Sequence, residues 1–241
     1  GWASRFATYF DFAKELGFVY YWTDEKIEFS EIGLRLANSI QVDVDGDSIL
    51  VSEPHPEFEQ QAFLQALAKY QRNSPFIRVL NNNVPLILLL QTITKLNNDK
   101  AFNGSGITKL EIPLILYWKN NDAEALYQRI KKLRKEHGYD PSCETITEIC
   151  RDEIMEGKDV ERDNKSIMVD YPDEFIRKMR LTGLISLRGA GRFIDINKNE
   201  IKKVEYVLEN YSEYPTFNTE KEYFDYMAET DVNLITMDSL A

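Results

Sequence analysis

Residues 179–203 read MRLTGLISLRGAGRFIDINKNEIKK, and the fold turns on how this stretch is parsed. A helix bearing Phe175, Ile176, Met179 and Leu181 stops at Gly183. Two apolar strands, Leu184–Leu187 and Phe193–Ile196, then flank Arg188-Gly189-Ala190-Gly191-Arg192, and Asn197-Lys198-Asn199-Glu200 has the spacing of a capped helix start. Helix, projecting hairpin, helix is the order of a winged helix. Its tip carries Arg188 and Arg192, separated by glycines that let the backbone approach a phosphate.

The same order occurs earlier, in LGFVYYWTDEKIEFSEIGLRLANSI, residues 16–40. There the turn is one residue shorter, and its tip of Asp24, Glu25 and Lys26 is a poor phosphate ligand. Residues 3–16 precede it as an amphipathic helix, and Ser30 is placed to cap the helix that follows. After an acidic loop, helices are expected near 57–70 and 84–97. The reading is mainly α with small β-hairpins, an α+β chain of two winged-helix lobes in tandem joined by helices. The lobes are residues 1–98 and 99–241, the second holding an acidic linker at about 156–165 and an acidic C-terminal tail.

With 241 residues, 43% apolar and 12% aromatic, the chain can bury a core. Its longest apolar run, Val84–Leu90, is far short of the roughly 20 residues a bilayer span needs. It opens Gly-Trp with neither Met nor signal peptide, which reads as a fragment or a cleaved tag, and two cysteines without disulfide spacing make a reducing, cytoplasmic setting the expectation. Cys143 and Cys150 sit on one expected helix and form no disulfide framework. With only His55 and His137 beside them, no ligand pair has zinc spacing.

The net charge of −11 disfavours nucleic acid only until it is mapped. Residues 140–175 carry 12 acids against 4 bases, and residues 205–241 carry 9 against 1. What remains is basic: Leu126–Tyr139 has 5 bases and 1 acid, and Phe175–Lys203 has 8 and 2.

A capping box, Thr108-Lys109-Leu110-Glu111, opens one helix, and Asp122 to about His137 forms the next after Lys119-Asn120-Asn121. This is the layout of a helix-turn-helix with the second helix as reader. Asn120, Asn121 and Gln128 could bond adenine and Arg129 guanine, while helix capping and solvation are the plainer roles. Lys69, Gln71, Lys119, Lys132, Arg177, Lys178 and Arg180 are expected to position phosphates or simply face solvent.

The ordered set of pieces resembles the N-terminal DNA-recognition region of the AlwI/PleI-type restriction endonucleases and their strand-nicking relatives. The matching stretches are Leu16–Val19 with Ile27–Asn38, then Leu67–Ser74, Pro85–Leu96, Gly106–Leu116 with Lys119–Asn121, and Arg180–Asn197. The resemblance implies two winged-helix lobes that recognise a short asymmetric duplex site. It also implies a separate nuclease core or subunit, using Mg2+, that hydrolyses the DNA outside the site as part of restriction-modification. One departure is Arg72-Asn73-Ser74-Pro75, where the family's usual aromatic-Pro-Ser is missing.

No nuclease core is expected within this chain, and none of its residues is expected to be catalytic or to bind a metal or cofactor. Asp173 with Glu200-Ile201-Lys202 matches a nuclease string, but both acids fall at expected helix starts rather than on strands. Asp43-Val44-Asp45-Gly46-Asp47 misplaces the glycine of a calcium loop and reads as an acidic turn or hairpin. Gly104-Ser105-Gly106 lacks the Lys of a phosphate loop. Tyr20, Tyr21 and Trp22 could stack on bases, although strand packing is their commoner role. Three alternatives remain open: a winged-helix transcriptional regulator, a winged-helix protein-interaction module and a complete nuclease.

Overall fold

A computed structural model describes residues 2–21, 26–77, 79–158 and 164–238, with side chains from Phe6 onward. Its centre is a helix that opens on an unbroken apolar run, VPLILLL, before Gln91, Thr94 and Lys95. Pro85 sits at its first turn, where no intrahelical N–H is required. Leu86 to Leu90, Ile93 and Leu96 are fully buried, as an apolar run on all sides of its first turns requires.

The first half of the chain runs α1 (Trp2–Glu15), β1 (Val19–Tyr20), β2 (Glu28–Phe29), α2 (Glu31–Asn38), β3 (Val42–Asp45), β4 (Ser48–Val51) and α3 (Pro56–Lys69), and then the central helix, α4 (Pro85–Asn98). Ser30 caps α2, its Oγ accepting from the Gly33 N–H at 3.1 Å. β1 and β2 pair over two residues only, Val19 with Phe29 and Tyr20 with Glu28. The calcium-like string proves to be strand β3 and the turn into β4, with Gly46 at φ +58°.

The second half begins with β5 (Ile107–Thr108), a 3-10 turn (Lys109–Glu111), α5 (Ile112–Tyr117), α6 (Ala123–His137) and α7 (Cys143–Glu148). α7 continues as a π-helical turn, Ile149–Ile154; a second π turn, Ser166–Asp170, runs into α8 (Tyr171–Leu181). Strands β6 (Ile185–Arg188) and β7 (Phe193–Ile196) follow, then α9 (Ile201–Tyr211), α10 (Glu220–Ala228) and α11 (Val232–Thr236). The sheet order is β5-β7-β6, all antiparallel, with Ile107 opposite Ile194 and Ile185 opposite Ile196. Gly106 makes this possible: its φ is +69°, and an added Cβ would lie 2.4 Å from the Ile194 carbonyl oxygen.

Several expectations need correcting. The two ribbons are not equivalent, since β6–β7 recruits β5 whereas β1–β2 stands alone. Trp22, Thr23, Asp24 and Glu25 of the first ribbon's tip, and residues 159–163 of the acidic linker, lie outside the described residues. Tyr20 is buried, stacked on Phe224 with ring centroids 5.1 Å apart, and so is withheld from any base.

The acidic C-terminal stretch is no free tail. Tyr223, Phe224, Met227 and Leu234 are buried, and Met227 packs against Gly17. One hydrophobic cluster extends from Leu16 to Leu234, and α4 packs against α3 as well as α6 and α9, so the core is continuous past residue 98.

Candidate nucleic-acid interface

The expected two-helix unit forms, but its second helix is heavily committed to the fold. Ala123, Leu126, Ile130, Leu133 and Arg134 of α6 are buried, and the helix packs against α4. The cap is Asp122, whose carboxylate accepts from Ala125 N–H at 2.9 Å. Asn120 is exposed and its Oδ1 accepts from Asp122 N–H at 3.0 Å. Asn121 turns inward, where its Oδ1 accepts the Val84 N–H at 2.8 Å, holding the start of α4.

Along α6, Gln128 donates to Glu124 at 2.8 Å, one turn back. Arg129 makes a two-pronged contact with Glu153, Nε–Oε2 2.7 Å and Nη2–Oε1 2.9 Å. Lys119 is exposed and paired with Glu156, whose carboxyl it holds below the usual range. Of the cations expected here, Lys132 alone is exposed with no partner among the described residues. The reading of Asn121 and Arg129 as base contacts therefore yields to structural roles, because Asn121 Oδ1 holds the start of α4 and Arg129 Nε and Nη2 are engaged by Glu153. Asn121 Nδ2 and Arg129 Nη1 stay without a partner among the described residues.

Lys69 and Gln71 are corrected more firmly. Lys69 is buried, and its ammonium donates to the Tyr226 and Glu229 carbonyls at 2.9 and 2.5 Å, ending α10. Burial pushes its pKa down to about 8 against the opposing pull of Glu229 and Asp231. Gln71 Nε2 donates to the Pro215 carbonyl at 2.6 Å. Both residues fasten the C-terminal helices to α3, and neither faces solvent.

The other basic segment behaves differently. On α8 the inward residues are Pro172, Phe175, Ile176 and Met179. Arg177 and Arg180 fall on the opposite side, exposed and without hydrogen bond or ion pair among the described residues. Lys178 lies beside them, bonded to Glu174 at 2.7 Å and resting over the Phe12 ring at 4.5 Å. α8 leads directly into the β6–β7 hairpin.

At the hairpin tip Arg188 reaches the Gly104 carbonyl at 2.7 Å and pairs with Asp195. Arg192 pairs with Asp140 at 2.6 Å. Both arginines are about half exposed (48% and 49%), and Asp140 is 73% exposed, so that pair is held weakly against water. Ala190 takes φ +55° between Gly189 at +60° and Gly191 at +86°, a run of left-handed residues that compacts the tip. Sequence reasoning did not single out Lys135, Lys198 or Lys202, three further exposed lysines with no partner among the described residues. The charge count over 175–203 was the signal for two of them.

Nothing resembling a metal centre accompanies these cations. Among the described residues no three His, Cys, Asp or Glu side chains gather into a metal site, so they do not fit Mg2+ and no chemical step runs through it. Asp173 is in the first turn of α8, bonded to Lys109 at 2.6 Å, and Glu200 bonds Lys203 at 2.7 Å. Neither lies on a strand. Cys150 is buried, with its thiol pushed up to about 12, and Cys143 is exposed. No described helix is long and apolar enough to cross a membrane.

This architecture has a counterpart among solved structures. The chain is similar to the protein in the crystal structure of pyrene- and phenanthrene-modified DNA in complex with the BpuJ1 endonuclease binding domain. The TM-score is 0.54 over 90% of this chain and 74% of that one, at 16% identity, a likeness of fold. No curated protein matches by sequence. A family model does, that of the AlwI restriction endonuclease, over residues 14–239. The match spans nearly every element described above, and the chain belongs to the AlwI restriction endonuclease family.

Proposed function

We propose that the chain is the double-stranded DNA recognition module of a type II restriction endonuclease, reading a short asymmetric site. The observation that carries this is the cation surface of α8 and its hairpin. Arg177 and Arg180 stand free on the helix that enters the β6–β7 ribbon, with Arg188 and Arg192 at the ribbon's tip. In this reading α8 running into the β6–β7 hairpin serves as a winged helix, and α2 running into β3–β4 takes the part of the first wing expected at residues 16–40.

In this reading α8, rather than α6, enters the major groove. Arg177 and Arg180 supply base or phosphate contacts, and Arg188, Arg192 and Lys132 supply backbone contacts. The tip of β3–β4 is acidic at Asp45 and Asp47 and stays off the duplex. Cleavage belongs to a nuclease core or subunit that uses Mg2+, one or both strands being cut outside the site. A DNA substrate places the working chain in the cytoplasm.

The test is selection of bound duplexes from a random pool, followed by titration at several salt concentrations. The expected result is a monomer on one asymmetric sequence, with affinity falling steeply as salt rises. A palindromic site bound by a symmetric dimer would move the chain to the regulator class. Absence of any sequence preference at low salt would remove the proposal. A second reading, a protein-docking module, is favoured by β3–β4, where Val42, Val44, Ile49 and Val51 are 60–73% exposed on one face. Intact duplex selection in a chain with all four changed to Thr would separate docking from DNA recognition.

A further inference from the structure

Between α1, α3, α5 and α8 lies a partly open cavity of about 340 Å³. Its walls are apolar and aromatic, chiefly Phe12, Leu67, Tyr70, Ile115, Tyr171 and Phe175. This is the lower end of the roughly 300–1,000 Å³ typical of ligand pockets, and far above the roughly 10–15 Å³ one water needs.

Arg72, Asn83, Glu174 and Lys178 also line it, and the first two each have a buried atom with no hydrogen-bond partner, Arg72 Nε and Asn83 Oδ1. The two residues are neighbours through the backbone, where the Arg72 N–H donates to the Asn83 carbonyl at 2.9 Å. The amide orientation of Asn83 is fixed, since its Nδ2 donates to the Trp118 carbonyl at 2.6 Å and leaves the oxygen as the orphan. Asn83 is 1% exposed. An unpartnered donor and an unpartnered acceptor on one cavity wall are groups that solvent or a guest entering the cavity can satisfy.

The guest's chemistry follows from the walls. It needs apolar faces to lie against aromatic rings, and one edge with an acceptor next to a donor. A bare phosphate has no apolar face to lie against the rings. Every nucleobase meets both requirements, because each Watson–Crick edge sets an acceptor beside an N–H. The cavity also opens along Tyr171, Glu174 and Lys178 of α8, the stripe next to Arg177 and Arg180.

We propose that this cavity is a nucleobase pocket, in which Arg72 Nε–H donates to the base and Asn83 Oδ1 accepts from it. The base is either one extruded from bound duplex beside α8, a source that rests on the DNA-recognition reading above, or a free nucleoside. The chemistry is common to both.

The test uses the full chain in two arms. In the first, guanosine is titrated and followed by protein fluorescence. In the second, an abasic residue is placed opposite each base of the selected duplex in turn, which lowers the cost of extrusion. Arg72→Met removes the donor, and Leu116→Trp fills the cavity from another wall, with thermal melts confirming that each variant folds. Extrusion predicts that an abasic residue at one position tightens binding by about tenfold or more, and that both variants erase the gain. Guanosine binding lost in both variants, without any such position, assigns the free nucleoside. If the fully paired duplex binds but neither arm responds, the pocket proposal is overturned. If no duplex binds, the recognition reading fails by itself and the guanosine arm alone decides: binding lost in both variants upholds the pocket, and no binding overturns it.

Discussion

Arg134 and Glu111 face one another through two parallel bonds, Nε–Oε1 and Nη2–Oε2, each 2.7 Å, with both side chains buried. The same guanidinium donates to the Gly106 carbonyl at 2.7 Å and Ser105 Oγ at 3.0 Å, and Glu111 accepts from Thr108 N–H at 2.8 Å. One ion pair thus ties α6 to the residues just before β5 and to the turn between β5 and α5. Arg134→Met should destabilise the chain by about 3–5 kcal/mol, because it strands a buried carboxylate. Arg134→Met with Glu111→Leu should recover most of that, short of about 1 kcal/mol for the lost cap. Urea midpoints of the two chains measure the difference, and equal losses would show that the pair is not what fails.

Arg177 and Arg180 have no structural partner among the described residues, so their loss should leave stability within about 0.5 kcal/mol. Each Ala substitution should nevertheless weaken duplex binding. A phosphate contact lowers the slope of log affinity against log salt by about 0.9. A base contact instead changes discrimination at one position by about 1–3 kcal/mol. Salt titrations on matched and single-mismatch duplexes distinguish the two, and unchanged binding in both variants removes α8 from the interface.

Asp140 competes with phosphate for Arg192. Asp140→Asn should tighten binding a few-fold at low salt by freeing the guanidinium, whereas Arg192→Ala should weaken it across all sequences alike. Fluorescence anisotropy on specific and random duplexes reads both effects. Weaker binding in Asp140→Asn would contradict this role for the hairpin tip.

Lys69 gives a pH signature. Its folded pKa, about 8, lies below the ordinary 10.5, so between those values the unfolded chain holds a proton that the folded chain has released. Its contribution is therefore least favourable below about pH 8 and improves as pH rises toward 10.5. Relative to Lys69→Met, the natural chain should gain melting temperature from about pH 7 to about pH 10. A constant offset between the two melts would mean that the ammonium is not desolvated.

The local signals in the sequence were strong where short-range physics decides. Ser30, Pro85, the Thr108–Glu111 turn and Gly183 lie at helix boundaries because capping and proline geometry act over a few residues. The strand pair around 188–192 was legible from alternation and glycines. The acidic C-terminal stretch was not, because charge counts hid its aromatics. Tyr223 and Phe224 stand two and three residues after Lys221 in a run of acids, and only their packing against Phe76 and Tyr20 reveals them as core.

By itself, then, the sequence determined the helices up to α9, the basic hairpin and the family order of pieces, all set by spacing along the chain. Which cations remain free was decided only in three dimensions. Lys69 meets Tyr226 and Glu229, 157 and 160 residues away, and Arg129 meets Glu153, 24 residues away. An ion's availability depends on what folding brings beside it. For that reason α8, where Arg177 and Arg180 have no partner among the described residues and the helix runs into the basic hairpin, carries the functional reading ahead of α6, where Lys132 and Lys135 alone among its cations have none.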